Sequence, residues 1–155
     1  MEHIALDDIY IRLFLAMVLG MILGVERFIA HKTAGMRTYT LVSLGSALFV
    51  IISQQVISSV ENIAFDPMRI AAQIVAAAGF LGVGAIVRHE NNQISGLTTA
   101  SGLWVAAGIG MAAGFGLYKI AGLVTGLGLF TFVVLWFIEQ QIRKIPIKEK
   151  LDHPL

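Results

Sequence analysis

Five stretches of the chain run apolar for the length of a membrane crossing, and the charged residues fall almost entirely between them. They lie at about Ile9–Val25, Thr38–Val60, Ile70–Val87, Thr98–Leu117 and Ile120–Ile138, each close to the ~20 residues a helix needs to cross hydrocarbon. Polar and apolar residues do not alternate within them, which excludes transmembrane β-strands. A backbone in lipid must pair its own amides within the segment, so the prediction is helices. The expected fold is all-α: a polytopic membrane protein whose residues 1–138 form a bundle of five transmembrane helices. Residues 139–155 are expected to form a basic amphipathic tail lying on anionic headgroups. The first stretch reads as a retained span, because its flank is acidic (Glu2, Asp7, Asp8) and Glu26-Arg27 offers no small-residue cleavage site.

Composition narrows the class further. Hydrophobic residues make up 57% of the 155 and charged residues 14%, against roughly 25% charged in soluble domains. A net charge of +1 excludes the basic bias of a nucleic-acid binder, so no nucleic acid is expected as partner. The absence of cysteine removes disulfides, thiolate metal sites and cysteine nucleophiles. Eight of the eleven Lys and Arg residues fall on one side of the five spans: Arg27, Lys32, Arg37, Arg88, Arg143, Lys144, Lys148 and Lys150. Arg12, Arg69 and Lys119 fall on the other. Cytoplasmic loops keep positive charge, which places the N-terminus outside and the C-terminus in the cytoplasm.

Glycine spacing predicts close helix contacts. Gly20/Gly24 and Gly110/Gly114 stand four apart, and Gly79, Gly82 and Gly84 cluster in the third span; each set leaves a bare stripe that a second backbone can approach. Tight assembly follows, with a homodimer as one outcome. Leu23-Gly-Val before the first polar loop and Leu81-Gly-Val before the second suggest a parallel repeat that would bring the two loops together.

Two groups of polar residues are candidates for function. On the cytoplasmic side stand Glu26, Arg27, Lys32, Arg37, Thr38, Arg88, Thr98 and Thr99. A helix N-terminus carries unpaired N–H groups and partial positive charge, so beside Lys32 and Arg37 it could hold a lipid phosphate or a partner's carboxylate. Thr98, Thr99 and Ser101 are placed to cap or back-bond the fourth span. On the outer side, Asp66 and Pro67 suit the start of a helix. Arg69 and Gln73 follow one turn apart, a polar pair expected to point into the bundle or a dimer interface. His89 and Glu90 lack further convergent ligands, so no metal centre or cofactor is expected; Mg²⁺, an ion for oxygen ligands and retained water, is the one candidate that stays in view. No nucleophile triad, HExxH, Walker loop or GxGxxG is present, and no enzyme is expected.

Several motifs in order also resemble the MgtC/SapB family of bacterial inner-membrane proteins. They are Leu23-Gly-Val-Glu-Arg27, Lys32-Thr-Ala-Gly-Met-Arg-Thr38, Leu41-Val-Ser-Leu-Gly-Ser-Ala-Leu-Phe49, Asp66-Pro-Met-Arg-Ile-Ala-Ala-Gln-Ile-Val75, Gly79-Phe-Leu-Gly-Val-Gly-Ala85 and Gly96-Leu-Thr-Thr-Ala-Ser101, followed by Trp104. The resemblance implies a polytopic module of about five helices, growth at low magnesium and, in pathogens, survival inside macrophages. It also implies either magnesium transport or regulation of a membrane ATPase or ATP synthase. The family's polar positions fall on Glu26, Arg27, Lys32, Arg37, Thr38, Asp66, Arg69, Gln73, Thr98 and Thr99. Many relatives add a soluble C-terminal domain that this sequence is expected to lack. Some have Arg at the position of Ser95, Asn at Thr98 and Cys at Val105. The favoured expectation is an inner-membrane regulatory protein of magnesium and energy homeostasis that acts through membrane-protein partners. The alternative is an ion transporter or channel with a polar path between the helices.

Overall fold

The computed structural model describes residues 4–59, 66 and 68–144. Helices α1 (Leu6–Ile29) and α2 (Met36–Ser59) form an antiparallel hairpin, and α3 (Met68–Gly84) follows. A two-stranded antiparallel ribbon, β1 (Val87–Arg88) with β2 (Ile94–Ser95), leads into α4 (Leu97–Gly114). α5 (Tyr118–Phe130), a π-helical turn at Thr131–Leu135 and α6 (Trp136–Arg143) run on as one 26-residue helix. Four helices are long and apolar enough to cross a membrane, and α3 is a shorter apolar helix. Its 17 residues span about 25 Å at 1.5 Å per residue, the short end for a crossing.

The expected spans hold, with shifted ends. α2 starts two residues before Thr38, α3 ends before Val87, and α4 stops at Gly114 rather than Leu117. The last span passes Ile138 without a break as far as Arg143, and residues 145–155 of the expected tail lie outside the described residues. The ribbon between α3 and α4 was legible only as a polar loop. It pairs Val87 with Ser95 and Arg88 with Ile94, and two-residue strands are too short to leave a periodic signal. Gly96 then takes φ +90°, and a Cβ there would collide with the Ala85 carbonyl; only glycine lets the chain turn so tightly into α4.

α4 is the axis of the bundle. It packs against α1, α2, α3 and α5, and from Val105 to Gly114 none of its residues is exposed, as suits a stretch apolar on every face. The core is continuous from Ala16, Leu19 and Leu23 on α1 through Ala47 on α2 to Ala106, Ile109 and Ala113 on α4 and Ala121 on α5. Gly20 of α1 and Gly110 of α4 both meet α2 at Ser43: a Cβ on Gly20 would lie 2.7 Å from the Ser43 Cβ, and one on Gly110 would overlap the Ser43 carbonyl. Gly24 meets Met36, and Gly114 meets Ala47. These four glycines pack helix on helix within one chain, as their spacing predicted, and their contacts are taken up inside it. The Ser43 hydroxyl donates to the Ala16 carbonyl at 2.8 Å across the α1–α2 seam.

α3 differs from the rest. Ile74, Ala78 and Gly82, four apart, are its buried residues, and a Cβ on Gly82 would rest 3.5 Å from Ala100 of α4. Gly79 and Gly84 face open space, with nothing within 4 Å of an added Cβ. Their expected role in packing this chain is therefore corrected.

Candidate functional site

Polar side chains collect at both ends of α1, and the end at Arg27 encloses a cavity. α1 closes with the Ala30 N–H on the Glu26 carbonyl at 2.9 Å and the Lys32 N–H on the Arg27 carbonyl at 3.0 Å. His31 between them takes φ 53°, a left-handed position that His fills more readily than bulkier residues. This turn sets His31 and Lys32 beside Arg27.

Arg27 is only 3% exposed. Its Nε pairs with the Glu26 carboxylate, and its guanidinium carbon lies 3.7 Å from the centre of the Phe132 ring. Neighbours on a helix point about 100° apart, so the Glu26 carboxylate folds back to reach Arg27. A cation over an aromatic face in a dry setting gains about 2 kcal/mol, which together with the carboxylate offsets the cost of burial. Phe132 is delivered by the π-helical turn, a local register change frequent at functional sites. Its ring meets Tyr39 edge-on at 6.4 Å, and the Tyr39 hydroxyl donates to the Thr99 carbonyl at 3.3 Å. Gly102 leaves the room for this pair, since a Cβ would strike the Tyr39 hydroxyl.

Above this floor opens a cavity of about 1190 Å³. Its wall is apolar: Ile22 and Val25 from α1, Leu129 from α5, Val133 and Leu135 from the π turn, and Trp136 from α6. Arg27, Thr98 and Thr99 supply its polar floor, and Glu26, His31, Lys32, Glu139, Gln140 and Arg143 its rim. Thr99 is 3% exposed. Its hydroxyl and the terminal nitrogens of Arg27 make no hydrogen bond among the described residues. No side-chain polar atom of either residue is both fully buried and unpaired.

Five of the eight expected cytoplasmic residues thus come together: Glu26, Arg27, Lys32, Thr98 and Thr99 line one cavity. Arg37 and Thr38 sit exposed on the first turn of α2, and Arg88 donates to Asn92 at 2.7 Å within the ribbon. The capping role expected of Thr98 and Thr99 is corrected, because Gly96 begins α4 with no side-chain cap; Ser101 does back-bond the Leu97 carbonyl at 3.0 Å. The first polar connection borders this cavity through His31 and Lys32, and the second only at its last residue, Gly96. Tyr39, Gly102 and Phe132 escaped the sequence reading, because within apolar runs they look like packing residues.

At the outer group, the Asp66 carboxylate accepts the Met68 N–H at 2.9 Å and so starts α3 as expected; Pro67 lies outside the described residues. Arg69 and Gln73 are exposed on the face of α3 opposite Ile74 and Ala78. The expectation that they point into the bundle is corrected; they look outward, where a dimer interface would still meet them.

The polar centre at the other end of α1 is Arg12. It donates to Asp8 at 2.8 Å, to Gln54 at 2.9 Å and to the Gly114 carbonyl at 2.7 Å, and Tyr118 donates to the other Asp8 oxygen at 2.6 Å. This knot ties α1, α2, α4 and α5 together. Arg12 and Arg27 are about 22 Å apart along α1 at 1.5 Å per residue, and close-packed Ala16, Leu19 and Leu23 fill the interval.

Comparison with known proteins decides the family: the model of the MgtC family matches residues 13–141. The chain belongs to the MgtC family. MgtC of Salmonella typhi is 37% identical over 151 residues, covering 97% of this chain and 62% of that protein. YhiD of Escherichia coli K12, named as a candidate magnesium transporter, is 45% identical over 98 residues, which are 61% of this chain and 45% of YhiD. SapB of Bacillus subtilis is 37% identical over 97 residues, covering 61% of this chain and 42% of that protein. The matched region thus spans about half the length of the relatives. No solved structure matches.

Proposed function

We propose that this MgtC-family chain is a non-enzymatic regulatory module of magnesium and energy homeostasis in the bacterial inner membrane, with its N-terminus outside. It acts by binding a ligand in the Arg27 cavity and a membrane protein on its surface rather than by conducting ions. One observation carries the reading: the cavity ends on a buried guanidinium, and beyond it lies packed hydrocarbon as far as the Arg12 knot. A divalent cation crossing here would meet an Arg27–Glu26 pair with no net negative charge to hold it and packed apolar side chains behind, where an unpaired charge is costly. Mg²⁺ also needs near-octahedral oxygen ligands with several waters retained. Glu26, the carboxylate nearest the floor, is held by Arg27.

The surface best suited to a partner is the outward face of α3, where Arg69 and Gln73 stand among Ala76, Phe80 and Val83, all exposed. A second copy or a membrane ATPase or ATP synthase are the partner classes this reading admits. The transporter reading draws on the name of YhiD and on the polar mouth of the cavity.

The test is purified chain in liposomes loaded with a Mg²⁺-sensitive dye. The expected result is no uptake above empty liposomes, while the same gene restores growth of a deletion strain at low magnesium. Uptake that Glu26→Gln abolishes would establish the transporter instead.

A further inference from the structure

The Arg27 cavity combines three features that a single ligand has to satisfy together. Its floor offers two residues each 97% buried, Arg27 with unpaired terminal nitrogens and Thr99 with an unpaired hydroxyl. The rim adds the cations Lys32 and Arg143. Its wall is hydrocarbon, and Ile22, Val133 and Trp136 on that wall are exposed, an apolar surface of the kind acyl chains cover.

The charges select the ligand's sign. Arg27, Lys32 and Arg143 stand against Glu26 and Glu139, an excess of one positive charge, and with Glu26 held on the Arg27 Nε the terminal donors of Arg27 stay open. Guanidinium nitrogens in a fixed fork match the oxygens of phosphate or carboxylate. The apolar wall selects an amphiphile over a small ion, because a free anion would leave that hydrocarbon facing water. The height selects a lipid: Arg27 stands in the last turn of the 24-residue α1, the level at which headgroups lie.

We propose that the cavity binds the phosphate of an anionic phospholipid, with Arg27 and Thr99 on the phosphate oxygens, Lys32 and Arg143 over the headgroup, and the acyl chains leaving past Ile22, Val133 and Trp136. The inference rests on the preceding reading only in taking this cavity as the working part, and it names the ligand that part holds. The shared chemistry is a phosphate oxygen cluster; lipid and free phosphate are its two sources, and the wall assigns it to lipid.

Native mass spectrometry of the full chain in non-ionic detergent, titrated with short-chain phosphatidylglycerol, phosphatidylcholine or inorganic phosphate, tests this. Phosphatidylglycerol is expected to bind at least tenfold more tightly than phosphatidylcholine. Lys32→Gln and Arg143→Gln, both exposed and free of core contacts, should each reduce that preference about fivefold, the worth of one basic residue at a lipid surface. Thr99→Val keeps the volume of the side chain and should weaken both lipids together. Arg27→Gln should abolish the preference; because it also breaks a buried pair, the rim variants decide if it fails to fold. Equal binding of the two lipids, a preference indifferent to both rim charges, or inorganic phosphate binding as tightly as lipid would each overturn the proposal. The dye experiment is independent of this one: lipid selectivity can fail while Mg²⁺ uptake stays absent, and uptake can appear while lipid is still bound.

Discussion

At the scale of single residues, identical side chains have opposite roles according to what faces them. Gly110 lies so close to the Ser43 carbonyl that a methyl group cannot fit, whereas Gly79 faces open space. Gly110→Ala should therefore lower stability by ~1–3 kcal/mol through overpacking, while Gly79→Ala should be neutral or gain ~0.5–1 kcal/mol from helix propensity. Thermal unfolding of the two variants in detergent reads the contrast directly. The arginines divide in the same way. Arg12→Ala would strand Gln54 and the Gly114 carbonyl and leave Asp8 to Tyr118 alone, at a cost of ~1–3 kcal/mol for the groups left unpaired. The fall in melting temperature should come without change in lipid selectivity, because Arg12 is remote from the cavity. In the sequence Arg12 counted only as one charge on the outer side. Asp8 is one helical turn away, but the other two partners of Arg12 lie 42 and 102 residues off, a separation that no local pattern encodes.

At the scale of elements, α4 and α3 have similar hydrophobic sequences and different fates. Half of α4 is buried among its neighbours, whereas α3 buries Ile74, Ala78 and Gly82 and packs Ile70 beside them. The remaining face carries Gln73, an amide exposed among apolar side chains. A polar group left in hydrocarbon costs free energy until it finds a partner, and interhelical hydrogen bonds in membranes average about 0.6 kcal/mol. Gln73→Leu is accordingly expected to reduce self-association in detergent about threefold while leaving the unfolding temperature of the monomer unchanged. Analytical ultracentrifugation measures the first and thermal unfolding the second; loss of stability without loss of association would show that Gln73 serves the fold. The π-helical turn is the element the sequence hid most completely. Thr131–Leu135 continues an apolar run without glycine or proline, yet the extra residue in its turn brings Phe132 under Arg27.

At the scale of the whole molecule, the charge distribution predicts a membrane orientation as well as a fold. Cysteines placed at Lys32 and at Lys119 should react with an impermeant thiol reagent from opposite faces of the membrane, Lys119 from outside in intact cells and Lys32 only after permeabilisation. Labelling of both from the same side would refute the proposed topology. The motifs from Leu23 to Ser101 made the family legible before any geometry, because the residues that mark it sit at helix ends and glycine contacts, where local sequence and local structure coincide.

Hydrophobic length by itself determined that this chain enters a membrane as helices: twenty apolar residues cannot remain in water, and an unpaired backbone cannot remain in lipid. Glycine spacing determined that helices would touch closely, and the clustering of Lys and Arg marked which loops are kin. Which helix lies in the centre, which glycines face inward, and which of eight polar candidates share a cavity were decided only by tertiary packing. Those choices depend on shape fit between segments far apart in the chain. An apolar run carries the free energy for burial, but it does not say what it is buried against.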